Sequence, residues 1–185
     1  MLRAVAGVLV AVGLWAFAFA ACGPGPQATR VGLKLAPATL GASISLQQRL
    51  RVEREGRIEE LDAALEVDAE RIDLIGLALG QRILTLHYDG SHLRSWRHPA
   101  VPTQLRGEDV LEDIQLTLWP VEALRQALPA DWSIEENGRR RTLLLHGAPV
   151  MVIDYSGEPR WSGEIRLVNL RYQYQLTIQS APNGP

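Results

Sequence analysis

Apolar and polar residues alternate along much of the chain, which is the pattern of β-strands buried on one face. The segment 61–67 alternates, although Ile58, Leu61 and Leu65 would also suit one face of a helix, and we interpret it as a strand. The dipeptides Glu55-Gly56 and Asp89-Gly90 have turn composition. Further strands are predicted at 43–53, 72–79, 83–88, 92–98, 132–136, 139–145, 150–155 and 170–179.

One segment has helical rather than strand spacing. Val110, Leu111, Ile114 and Leu118 recur at intervals of three and four residues, with acidic residues near the expected N-terminus. Pro120 suits the first turn of a second short helix. About nine antiparallel strands broken by this insertion predict a β-dominant α+β fold. We expect a curved sheet or incomplete β-barrel with a helical plug or lid on its concave face.

The clearest hairpin signal is Asn137-Gly138, because this dipeptide suits the positive φ angles of a type I′ turn. In that register Glu136 faces Arg139 and Glu135 faces Arg140 across the ribbon. We therefore expect the three arginines 139–141 at a solvated hairpin tip, with contact to lipid phosphates as the alternative.

The N-terminus has a different composition from this body. Arg3 precedes an uncharged apolar run that ends at Ala21, before Cys22 and the breaker GPGP. This pattern predicts a secretory signal peptide over residues 1–21, with a retained transmembrane helix as the alternative. Residues 22–42 are then a flexible tether, 43–179 a single β-rich domain and 180–185 a disordered tail.

Composition narrows the classes of function. The chain has 185 residues, 19 Lys and Arg against 21 Asp and Glu, and one cysteine. The net charge of -2 gives no long-range attraction for nucleic acid, so none is expected as a partner. A single cysteine excludes an internal disulfide and a cysteine-rich metal site.

Cys22 follows Ala20-Ala21 and precedes Gly23, which resembles the lipobox of bacterial lipoproteins, with Phe19 where an aliphatic residue is usual. The resemblance implies cleavage before Cys22 and a covalent diacylglycerol and acyl group on that residue, with no other cofactor. It also implies a location at the periplasmic face of the bacterial outer membrane.

The stretches DLIGLALGQRILTLHYDG, LEDIQLTLWPVEALRQALP and YQYQLTI resemble an uncharacterised family of bacterial outer-membrane lipoproteins found beside aryl polyene biosynthesis proteins. The segment from Val110 to Pro120 is the most recognisable part. The layout is more distantly similar to the lipoprotein-localisation factors, whose incomplete barrel closes over helices and shelters acyl chains. These resemblances imply periplasmic lipid handling.

An apolar sheet plugged by an amphipathic helix could hold an acyl chain. The predicted cavity residues are Ile72, Leu74, Leu77, Leu79, Leu84 and Leu86. The predicted lid residues are Val110, Leu111, Ile114, Leu118 and Trp119. The alternative for each residue is ordinary core packing.

Catalytic motifs are absent from the sequence: it has no G-x-S-x-G elbow, phosphate loop, H-E-x-x-H or C-x-x-C, so no enzyme activity is expected. His87, Asp89, His92 and His98 crowd twelve positions, but on a hairpin they need not share a face, and no metal site is predicted.

The leading hypothesis is an anchored monomer that binds a membrane lipid or lipid-linked cargo, exchanges it with a periplasmic carrier protein and aids its transport or insertion. The alternatives are a scaffold lipoprotein that binds a protein partner and a lipid-ester hydrolase.

Overall fold

The computed structural model describes residues 30–102 and 105–182. A short 3-10 helix, Pro37–Leu40, precedes the first strand. The helices are α1 (Gly107–Leu118) and α2 (Val121–Ala127). The strands are β1 (Ile44–Arg54), β2 (Arg57–Val67), β3 (Ile72–Ala78), β4 (Gln81–Tyr88), β5 (Leu93–Arg97), β6 (Trp132–Asn137), β7 (Arg140–Leu145), β8 (Ala148–Tyr155), β9 (Gly163–Asn169) and β10 (Tyr174–Pro182).

All ten strands form one antiparallel sheet in the order β5-β4-β3-β2-β1-β10-β9-β8-β7-β6. Each half is a meander of consecutive strands, and the pairing of β1 with β10 joins the two halves. The sheet stays open, with β5 and β6 as its edges. The predicted β-dominant α+β class is therefore confirmed.

The sheet must curve around α1, because α1 contacts strands near both edges. At its first residue, a Cβ on Gly107 would lie 2.4 Å from Oγ of Ser95 on β5. Near its other end, Nη1 of Arg141 on β7 donates to the carbonyl oxygen of Leu116 (2.5 Å). Eight strand spacings separate β5 from β7, about 38 Å in a flat sheet, whereas a helix of this length spans about 18 Å. Helix α1 therefore lies on the concave face.

One strand was not predicted. On β9, the side chains of Ile165 and Leu167 point into the core of the domain and are fully buried, whereas Glu164 and Arg166 are exposed. This is the same alternation that identified the other strands, so the sequence contained the signal. The predicted start of the last strand at Leu170 is wrong, since residues 170–173 form the turn between β9 and β10.

The register predicted for the β6–β7 hairpin is also wrong, because the turn lies one residue later and each residue of β6 pairs two residues further along β7. Asn137 pairs with Arg140, so the turn consists of Gly138 and Arg139, and Glu136 faces Arg141. Gly138 has φ +58°, and Arg139 does not have a positive φ, as in a turn with glycine first. The shift of two residues in pairing keeps each side chain on the face that the prediction implies. Arg141 lies on the inner face with Ile134 and Leu143 and is fully buried, whereas residues 139 and 140 are exposed.

Candidate functional site

The predicted cavity residues separate into three groups. Four of them face α1 from β3 and β4 and are buried: Ile72, Leu74, Leu84 and Leu86. Leu77 is half-buried. Leu79 is not in the interior, because it lies in the two-residue turn between β3 and β4 and its side chain is 104% exposed.

The predicted lid residues pack against this apolar surface. Leu111, Leu118 and Trp119 are buried, and Val110 and Ile114 are half-buried against the same core. A cavity beside Met151 and Leu143 measures only about 10 Å³, about the space of one water molecule. In this conformation side chains occupy the space beneath the lid, and an acyl chain would have to displace them.

A segment that we call the N-terminal strap, Arg30–Leu40, lies along α1. Its residues Leu33, Leu35 and Leu40 are buried. The N–H groups of Gly32 and Val31 donate to the two carboxylate oxygens of Glu112 (2.6 and 3.4 Å). This part of the predicted tether therefore covers α1.

A second contact continues the strap along the helix. Gln115 accepts a hydrogen bond from the N–H of Leu35 (3.1 Å) and donates one to its carbonyl oxygen (2.8 Å). Trp119 donates from its indole nitrogen to Oγ1 of Thr39 (2.8 Å). Polar side chains of α1 thus bind the backbone of the segment that follows the predicted anchor.

An ionic cluster lies where the strap meets the first half of α1. The guanidinium group of Arg30 lies 2.9 Å from Asp113 and 3.4 Å from Asp109. The hydroxyl of Tyr174 donates to Asp113 (2.5 Å). Burial raises the pKa of Asp113, although the charge of Arg30 opposes the shift. Burial likewise raises the pKa of Glu112, against the Gly32 hydrogen bond and the charge of Arg30.

The C-terminal end of α1 is held by what we call the arginine clamp: Arg141, Glu136 and Arg160. Arg141 donates to the carbonyl oxygens of Leu116 (2.5 Å) and Trp119 (2.9 Å), which lack partners within the helix. Its other bonds reach Oε2 of Glu136 (2.7 and 2.9 Å), and Arg160 binds the second oxygen of that carboxylate.

Glu136 is ionised within this clamp at neutral pH. Partial burial alone would raise the pKa of Glu136, but the hydrogen bond from Arg141 and the charges of both arginines outweigh burial and lower it. Tyr155 packs beside the clamp and donates to the carbonyl oxygen of Thr117 (2.7 Å), and burial raises the pKa of Tyr155 to about 12. Polar groups thus fasten the middle of α1 to the strap and its C-terminal end to the clamp, and apolar side chains pack it on the sheet.

The histidine-rich segment does not form a metal cluster. Nδ1 of His87 lies 2.7 Å from Asp73 on the outer face of the sheet, whereas His92 pairs with Asp89 in the β4–β5 turn (3.5 Å). Across 30–102 and 105–182, no group of three His, Cys, Asp or Glu residues is arranged to hold a metal ion.

The predicted anchor lies outside the described residues, as do the signal peptide 1–21 and Cys22. Within the described part of the chain, neither helix is long and apolar enough to span a bilayer.

Sequence reasoning missed Glu112, Gln115 and Arg141 as contact residues. A clue existed for the first two, since Leu33 and Leu35 alternate with polar residues upstream of a helix that has acidic and amide groups opposite its apolar stripe. Arg141 was missed because it was grouped with residues 139 and 140 at a solvated hairpin tip, although alternation places it on the same face as buried Ile134 and Leu143.

No curated protein matches the chain significantly. The crystal structure of a DUF1329 family protein from Desulfovibrio piger is similar at 11% sequence identity, with a TM-score of 0.39, covering 78% of this chain and 87% of that chain. The prediction of an uncharacterised family is confirmed, because the model of a family described as a protein of unknown function matches residues 45–182. The chain belongs to the DUF3261 family.

Proposed function

We propose that this protein is a carrier, anchored through Cys22 at the periplasmic face of the bacterial outer membrane, that takes the acyl chain of a lipid or acylated cargo between its curved sheet and α1. The observation that supports the proposal is that one helix covers the apolar concave face. Leu111 and Leu116 of α1 are fully buried against it. A closure of this kind can open without breaking any strand pair.

The energetics of such an exchange depend on apolar burial. Moving α1 aside would expose Ile72, Leu86, Ile165 and Leu167 to water, which is unfavourable unless another apolar group covers them. An acyl chain can do so, because each buried methylene contributes about 0.8 kcal/mol. Cargo binding would thus offset the lost packing of α1.

The hydrogen bonds that hold α1 are compatible with a helix that moves away from the sheet. The strap holds the middle of α1, at Glu112 and Gln115, and the arginine clamp holds its C-terminal end, both through hydrogen bonds. A hydrogen bond exchanged for one with water changes the free energy by only about 0.5–1.5 kcal/mol. The packing of the apolar face of the helix can then be exchanged for packing of the cargo.

Native mass spectrometry tests the carrier proposal. A Cys22→Ser form exported behind a cleavable secretory signal should carry a lipid adduct when purified from its host. Ile114→Gln should reduce that adduct, because Ile114 packs half-buried on the core-facing side of α1. Val152→Gln is the matched control, since Val152 is half-buried on the outer face of β8. Absence of any lipid, or equal retention in both variants, would contradict the proposal.

The anchor has its own test. Metabolic labelling with palmitate should mark the wild-type protein and disappear in Cys22→Ser. Labelling that persists in the variant would refute lipidation at this residue. The association with aryl polyene lipids is a further part of the proposal, and the mass of the bound lipid tests it.

A scaffold lipoprotein is the second candidate, favoured by the filled interior, which needs no ligand to be stable. The same mass spectra separate the two, because a scaffold would retain a protein and no lipid.

A further inference from the structure

Three of the exposed large apolar side chains lie on turns that share one end of the sheet, which we call the turn end. Arg54 pairs with Tyr174, so the β1–β2 and β9–β10 turns are adjacent. Asp62 pairs with Leu77, which directs the β3–β4 turn the same way. These turns and their flanks carry Ile58, Leu79 and Leu170, which are 55%, 104% and 50% exposed.

Leu79 is the most unusual of the three. It has φ +50°, a left-handed conformation that branched side chains rarely adopt and that asparagine or glycine tolerates. The two-residue turn requires this conformation, as do the turns at Glu55-Gly56 and His146-Gly147. What distinguishes Leu79 is a large apolar side chain that is fully exposed at that position.

A groove of about 410 Å³ opens at the same end, between the β1–β2 and β9–β10 turns. Ile58, Val168 and Leu170 supply its apolar surface, and the charges beside them are balanced, with Arg54 and Arg57 against Glu53 and Glu55. Exposed apolar side chains within a polar rim suit the bilayer interface, where burial of apolar surface supplies the binding.

The chain also enters the domain at this end. Arg30, the first described residue, stacks 4.5 Å over the ring of Tyr172 in the β9–β10 turn. Cys22 lies eight residues earlier, a reach of at most about 28 Å. A lipid on Cys22 therefore keeps the turn end near the membrane.

We propose that the turn end rests on the phospholipid bilayer, with Leu79, Ile58 and Leu170 inserted at its interface. This inference rests on the anchored carrier proposed above. It places the turn end of the sheet and the start of the strap against the membrane. Arg54 already lies 3.5 Å from Glu55, so apolar insertion should dominate and added salt should weaken binding little.

Depth-dependent quenching tests the orientation in the intact acylated protein. Leu79→Cys and Leu170→Cys each add one reactive thiol for an environment-sensitive fluorophore, since Cys22 is acylated. Ser91→Cys is the matched control, exposed in the β4–β5 turn at the opposite end, about 26 Å away along β4. In vesicles of phosphatidylethanolamine and phosphatidylglycerol, brominated lipids should quench the probe at positions 79 and 170 and leave position 91 bright.

Equal quenching at positions 79 and 91, or none at position 79, overturns the orientation. A second readout does not depend on the anchor: Leu79→Asn in the Cys22→Ser chain should lower its affinity for the same vesicles about tenfold or more, with unchanged circular dichroism. Unchanged affinity also overturns the proposal. Neither result alters the lipid adduct in the mass spectra, so failure of the orientation is distinguishable from failure of the carrier.

Discussion

Replacing Arg141 with methionine should destabilise the protein far more than the same change one residue earlier. Arg141 is fully buried, and its guanidinium group binds Glu136 and the carbonyl oxygens of Leu116 and Trp119. Methionine keeps much of the volume but none of the donors. Arg140→Met is the matched control, because Arg140 is exposed and its bonds to Asp154 (2.6 and 3.0 Å) face solvent.

The magnitude follows from what Arg141→Met leaves behind. Breaking a buried pair by removing one partner costs about 3–5 kcal/mol, because the remaining groups lose their compensation. Glu136 keeps Arg160, which favours the lower part of that range. For a chain of this size each kcal/mol lowers the melting temperature by about 2–4 °C, so a fall of about 6–20 °C is expected. The control Arg140→Met should lower the melting temperature little, because an exposed ion pair contributes little to stability.

Thermal and urea denaturation of both variants measure these differences. Hydrogen exchange adds a local readout, since amides in the last turn of α1 should lose protection first when the clamp is removed. Equal, small losses of stability in the two variants would refute the clamp, as would unchanged exchange in α1.

Three further predictions concern the strap, the turn and the helix. Because burial raises the pKa of Glu112 above its ordinary value of 4.5, the native state holds a proton that the unfolded chain has released, and stability falls as pH rises through the window above 4.5. Glu112→Gln removes this titration, so the free energy of unfolding of the variant relative to wild type should increase from about pH 4 to about pH 7. Urea denaturation at each pH measures this difference, and a difference independent of pH would contradict the prediction. Leu79→Asn should raise the free energy of unfolding by about 1 kcal/mol, because asparagine tolerates the left-handed conformation, and a loss of stability in calorimetry would count against strain there. Oγ1 of Thr117 is buried with no hydrogen-bond partner among the described residues, so Thr117→Val should stabilise by about 1 kcal/mol, and a lower melting temperature would disprove that.

Sequence reasoning predicted the parts of the fold that depend on periodicity. Strands with alternating burial and the amphipathic helix α1 were identified because one-sided burial imposes a period of two or 3.6 on the residues. The predicted helix 110–118 differs from the observed Gly107–Leu118 only at its start. Four buried cavity residues of β3 and β4 were found for the same reason.

The rest depends on information that periodicity does not contain. Leu79 was assigned to the interior because it continues the apolar run of β3, but Gly80 beside it favours a turn, and the turn exposes it. The burial of Arg141 depends on the carbonyl oxygens that its guanidinium group binds at the end of α1, which the alternation of β7 does not show. The strap binds α1 mainly through its own backbone, which leaves little trace in residue types.

Photo-crosslinking from inside the sheet tests the carrier account most directly. Only Met1 and Met151 are methionines, so after cleavage of the signal a photoactivatable methionine analogue occupies position 151 alone. Met151 is 2% exposed on the inner face of β8. The account predicts a crosslink to lipid from position 151, and none when Met151→Leu with Val152→Met moves the label to the outer face. No lipid crosslink from position 151, or equal crosslinks from both positions, would contradict it.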